Sequence, residues 1–244
     1  MTIVIQTGDR TINAPEIIPL LVNYQMLSRF VCESIIDQAI ESIECTPEEI
    51  AIALKQLAQQ YQLSTNIERQ AWLARHCLNL EQFIALATRS LRVEKFKQAN
   101  WNNEVRSHFL RRKKQLDQAI YSIIVTQDLS IAQEIYFRIQ EKEQSFAELA
   151  REYSQGSTAE VGGLVGPIEL GNLPPSLAQF LSTSQVGQVS FPFRLEKWLA
   201  IVRLEKLISA QLEPKMHQRL LDELFRIWLQ EKLKQQEYQI ELER

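Results

Sequence analysis

A chain of 244 residues, 45% hydrophobic and 23% charged, is long enough for one large domain or two modest ones and too apolar to stay disordered. Its 27 Lys and Arg against 30 Asp and Glu leave a formal charge of -3, which asks for no nucleic-acid partner. No apolar run approaches the ~20 residues of a membrane span, so no membrane insertion is expected. Met1 to Gln6 are weakly apolar but lack a basic leader, and Gly8, Asp9 and Arg10 follow at once; the default expectation is a cytoplasmic chain. Cys32, Cys45 and Cys77 are odd in number and match no compact metal spacing, so they read as buried thiols. With only His76, His108 and His217 besides, neither a metal nor a cofactor is expected.

From Asn13 to about Leu116 the pattern is almost wholly helical. Asn13 and Glu16 form a start signal, and Ile17, Leu20, Leu21, Tyr24, Leu27, Val31 and Ile35 recur at helical spacing. That run is one long helix or two broken near Asn23. Thr46, Pro47 and Glu49 start another helix, one more covers about Ile67 to His76, and Asn79 with Gln82 opens the next. The basic run Arg111 to Lys114 reads as a solvated helix face, with docking of an acidic partner as the sharper alternative.

Near Asp117 the grammar changes. Ala119 to Val125 reads as a short buried strand, Asp128 caps a helix, and Ser145 with Glu148 opens a short one. Six glycines then crowd between Gly156 and Gly187, the signature of loops and close backbone approaches. Trp198 to Leu204 reads as a last buried strand. After Leu207 a helix returns, with Met216, Leu220, Leu224 and Trp228 on one stripe and Leu221, Phe225 and Leu229 beside it. The Gln- and Glu-rich last ten residues suggest a fraying end. These readings divide the chain into a helical domain 1–116, a strand-containing domain 117–207, and a C-terminal helix 208–244 packing back on the helical domain.

The stretch Ser145-Phe146-Ala147-Glu148-Leu149-Ala150-Arg151-Glu152-Tyr153-Ser154, followed by Gly162-Gly163-Leu164-Val165-Gly166, resembles the parvulin family of peptidyl-prolyl isomerases. The helical flanks resemble those of SurA-like and PrsA-like chaperones. The neighbourhoods of Trp101, Phe109 to Lys113 and Leu173-Pro174 are similar to cyanobacterial proteins labelled peptidylprolyl isomerase. The resemblance implies an α+β fold, in which a parvulin-like domain of a small antiparallel sheet surrounded by helices is inserted into a helical domain built from both chain ends.

The resemblance also implies a site, and here the chain departs from it. Rotating an X-Pro amide breaks no bond, so an enzyme needs only to bind the twisted form better than the planar one. Parvulins are expected to use an apolar prolyl cup and a polar network of two His with a Cys or Asp. Those polar positions fall on Ser122, Leu199 and Gly156, and the cup positions on Val165, Leu173 and Leu177; Tyr153 and Ser154 stand near them in sequence. The cup residues also serve simply as core, and Tyr153 and Ser154 as packing for their helix. The expected function is therefore a parvulin-like binding protein, chaperone or secretion adaptor, with weak or no prolyl isomerisation. Its partner is a proline-containing or extended peptide, a client protein, or an export system component. The alternative is an active isomerase with atypical site residues.

Overall fold

The computed structural model describes residues 4–235, so the last ten residues expected to fray fall almost entirely outside the described residues. The chain forms two compact units: one takes in residues up to 105 and from 218 on, the other residues 106–217. The fold is α+β, with N- and C-terminal helices flanking a small antiparallel sheet in the chain.

In the first unit the chain opens on a hairpin, β1 (Val4–Thr7) and β2 (Arg10–Asn13), which helical reading did not foresee. Its signal was the pair Gly8-Asp9 between two runs of β-forming residues: Gly8 takes φ +58, the positive value a two-residue turn requires. Helix α1 (Ala14–Asn23) and α2 (Leu27–Ile40) follow, so the long apolar run is two helices, parted where Gln25 adopts φ 57. Then come α3 (Pro47–Gln60), α4 (Asn66–Arg75) and α5 (Leu80–Trp101). Each of these three starts at a reciprocal cap, Thr46 with Glu49, Thr65 with Glu68, and Asn79 with Gln82. The thiols depart from expectation: Cys32 and Cys45 are half-buried and Cys77 is exposed. Cys77 sits in the left-handed turn after α4, at φ 54, and so outside the helix's apolar stripe.

Helix α6 (Val105–Leu116) leads into the second unit, whose sheet has the order β4-β3-β6-β5. Its strands are β3 (Gln118–Thr126), β4 (Leu164–Glu169), β5 (Phe193–Leu195) and β6 (Trp198–Ile208). Lys113 ties α6 to this sheet by reaching Asp117 at 3.0 Å and Ser209 at 2.6 Å, while Asp117 accepts the Ala210 N–H. Side chains alternate across the sheet, and each face has its own cover. Ala119, Tyr121, Ala200, Val202 and Leu204 face Leu177 and Leu181 of α9 (Pro175–Thr183). Ile124 and Ile201 face α7 (Leu129–Gln140) and α8 (Phe146–Tyr153). Gly163 lets β4 close on β3: a Cβ there would stand 2.5 Å from the Ile123 carbonyl oxygen, and its own φ is +79. The last helix, α10 (Pro214–Gln235), buries Leu220 and Leu221.

Candidate functional site

The expected cup residues converge on one face of the sheet. Val165 on β4 and Leu173 are half-buried and pack on the cluster that holds Leu177, itself only 2% exposed. Sequence reading offered Ser122, Tyr153 and Ser154 as the polar groups nearest this cup. The structure adds Tyr121, which stands opposite Val165 across the β3–β4 pairing and is 5% exposed. Its hydroxyl makes no hydrogen bond among the described residues, and burial raises the phenol above its ordinary pKa of 10.0. The signal that would have found it is alternation: the immediate neighbour of Ser122 on a strand points to the other face.

Ser122 is on that other face. It is 3% exposed, and its hydroxyl donates to Glu205 Oε1 at 2.5 Å. The same oxygen accepts from Arg203, whose guanidinium lies over the Phe146 ring at 4.9 Å. A register shift creates this trio: Ile120 pairs with Lys206 and Tyr121 with Leu204, so Glu205 bulges out of the ladder. Leu199 also packs on the α7–α8 side, paired with Thr126, whereas Ser122 pairs with Arg203. Ser122 and Leu199 thus lie four residues apart along the ladder, roughly 13 Å at strand rise.

Gly156 lies beside the far end of β3, where a Cβ would meet Val125 Cγ2 at 2.9 Å. Ser154 accepts the Val125 N–H at 3.2 Å, so its hydroxyl braces β3. Tyr153 packs on the α7–α8 face and accepts from Arg138 at 3.0 Å. The structure therefore brings Val165, Leu173 and Leu177 together. It draws Leu199 and Gly156 to one end of β3 and leaves Ser122, Tyr153 and Ser154 in other bonds.

A separate open groove of about 980 Å³ lies at the opposite edge of the sheet. It is lined by the end of α7, by α9 and by the segment from Gly187 to Phe193, and none of Val165, Leu173 or Leu177 reaches it. Among the described residues no three His, Cys, Asp or Glu side chains gather as a metal site, and no helix is long and apolar enough to cross a membrane.

Comparison with known proteins agrees with this layout. The family description for the rotamase, or PPIC-type PPIase, domain matches residues 126–206. A chaperone SurA from Hahella chejuensis is 30% identical over 111 residues, 41% of this chain and 25% of that one, so the match spans about a quarter of that relative. The crystal structure of the peptidylprolyl isomerase PrsA from Bacillus cereus superposes with TM-score 0.54 at 18% identity, covering 97% of this chain and 92% of that one. PrsA from Bacillus anthracis gives TM-score 0.47 at 22% identity, over 88% and 99%. These relatives correct the cytoplasmic expectation: SurA and PrsA are periplasmic or otherwise extracytoplasmic chaperones. A soluble composition is common to both sides of a membrane, so charge and hydropathy carried no information on compartment. The likeness holds at the level of the superfamily rather than of a cyanobacterial group. Residues 126–206, at the heart of the sheet unit, match the rotamase, or PPIC-type PPIase, domain family, and the solved Bacillus cereus PrsA structure shares the fold.

Proposed function

We propose that this chain is a peptide-binding foldase or secretion adaptor of the parvulin type, with weak or no prolyl isomerisation. The observation that carries the reading is the fate of the three polar positions. Ser122 is spent on Glu205 across the sheet from the cup, and neither Leu199 nor Gly156 has a polar side chain. The apolar face around Val165, Leu173 and Leu177 remains, and apolar surface binds peptides by area without acids or bases. Its occupant is a proline-containing or extended segment of a client protein or of an export component. The boundaries we propose are a helical chaperone-like part to residue 116, a parvulin-like part over 117–207, and a returning helix after it.

One observation favours the alternative of an active isomerase with atypical residues. Among the described residues the Tyr121 hydroxyl has no hydrogen-bond partner, which leaves it able to donate to a peptide carbonyl. A protease-coupled assay on Xaa-Pro peptides, run beside a binding titration, separates the two readings. Binding reading expects titratable peptide, a rate near the uncatalysed one, and weakening in Leu173→Asp. Leu173 is the fair probe because it is half-buried, whereas a charge at Leu177 would attack the core itself. Turnover well above background that disappears in Tyr121→Phe would sink the binding-only reading.

A further inference from the structure

The groove at the sheet edge has features that the cup does not use. The segment from Gly187 to Ser190 runs antiparallel to β6. Gly187 N–H donates to Leu204 O at 2.7 Å, Leu204 N–H donates to Gln188 O at 3.2 Å, and Ser190 N–H donates to Val202 O at 2.7 Å. Val189 bridges Arg203 between those bonds, and this pattern turns Val189's own N–H and C=O away from β6. Neither the Val189 nor the Phe191 N–H has a hydrogen-bond partner among the described residues. The groove therefore runs along a strand edge that still carries free backbone donors.

Its walls carry rings. Phe191 is 71% exposed yet stacked on Tyr136 with centroids 4.5 Å apart, and Phe180 faces Phe193 at 6.3 Å. The charge is one-sided as well. Among the described residues Lys142 and Arg203 are the charged lining residues and no carboxylate lines the groove, while Arg203 is already met by Glu205. Lys142 is left as an exposed cation at the groove.

We propose that this edge is a strand-addition site for an extended acidic peptide, independent of the prolyl cup. The peptide pairs its backbone with Val189 and Phe191, lays alternate apolar side chains against the Tyr136–Phe191 and Phe180–Phe193 rings, and sets a carboxylate beside Lys142. Backbone pairing gives the affinity and the rings and cation give the selection, so proline is not required and would remove one of the pairing donors. This goes beyond the cup reading and stands or falls separately from it.

The test uses the full chain and fluorescein-labelled, proline-free eight-residue peptides in which Val or Tyr alternates with Ser or Glu, followed by anisotropy. Each peptide amide is N-methylated in turn. Saturable binding is expected, with methylation weakening it about tenfold at every second amide and by less than about twofold between. Val189→Pro, which removes an outward N–H without touching a bond to β6, and Lys142→Glu each weaken binding severalfold, while Leu173→Asp in the cup leaves it unchanged. No saturable binding, or equal tolerance of methylation at every amide, overturns strand addition. Sedimentation showing a dimer that Val189→Pro dissociates overturns it too, by making a second copy of this chain the occupant. Loss of Xaa-Pro binding at the cup alone would overturn the proposed function and leave this site standing.

Discussion

The Ser122 hydroxyl, the bulged Glu205 carboxylate and the Arg203 guanidinium form a closed polar set under the Phe146 ring. Buried polar atoms stay inexpensive only while every partner is met, so this set fixes the local register of β3 on β6. It also decides what a restored family residue would do. A His at position 122 would stand beside Glu205, on the face opposite the cup, and its ring exceeds the space of a side chain that is 3% exposed. We expect Ser122→His to leave the coupled-assay rate at background and, through overpacking, to lower the unfolding free energy measured by urea titration by about 1–3 kcal/mol. A gain in proline turnover from this single change would show that residue 122 reaches the cup. Restoring Gly156 meets a separate obstacle, since its Cβ would collide with Val125 Cγ2. Residue identities at these positions were legible in the sequence; their faces were not, because one bulge at Glu205 displaces the ladder and leaves no local sequence trace.

Helix starts were the most legible elements because their determinants are local. Thr46 with Glu49 and Ser145 with Glu148 sit three residues apart, and in both cases the cap hydroxyl accepts one N–H while the carboxylate takes another. The same bonds depress the carboxylates below their ordinary 4.5: Glu49 through Lys95 and the Thr46 N–H, Glu68 through the Thr65 N–H and hydroxyl, and Glu148 through the Ser145 hydroxyl and N–H. A lowered folded pKa means that the stabilisation is fully present above the unfolded value and disappears as pH falls through the folded one. Helicity should therefore hold from pH 7 down to about 4.5 and decline below it. In Glu68→Gln, far-UV circular dichroism should show less of that acid loss, since glutamine keeps an acceptor without a proton to gain. An acid profile identical to the parent chain's would remove Glu68 from the account. Elements without such local determinants escaped the sequence. Strand β5 is three residues long and α9 opens on Pro174-Pro175 without a side-chain cap, while β1 and β2 are four residues each and leave the Gly8-Asp9 turn as their one local mark.

At the scale of the molecule, the returning C-terminal helix was legible as an apolar stripe in need of a surface, and the structure supplies particular contacts within the helical unit. Leu220 and Leu221 are fully buried, and Phe225 and Trp228 join Phe96 and Trp101 in one aromatic cluster. Beneath it Lys97, 5% exposed, meets Asp222 at 2.5 Å and also pairs with Glu94, while Gln218 bridges the two carboxylates. Burial pushes the Lys97 ammonium pKa down, but Asp222 and Glu94 together outweigh it and the net direction is up. No apolar spacing rule reveals such a pairing, because it joins residues far apart in the chain. Leu220→Ala should therefore cost about 2–5 kcal/mol, through lost burial and the cavity left behind. The decisive readout is where that cost falls. Hydrogen exchange followed by mass spectrometry should show α2, α3, α5 and α10 losing protection while β3 and β6 keep theirs, because the sheet unit has its own two-sided core. Equal loss in β3 and β6 would mean that the helical unit and the sheet unit unfold as one, and that the sheet depends on the helix that follows it.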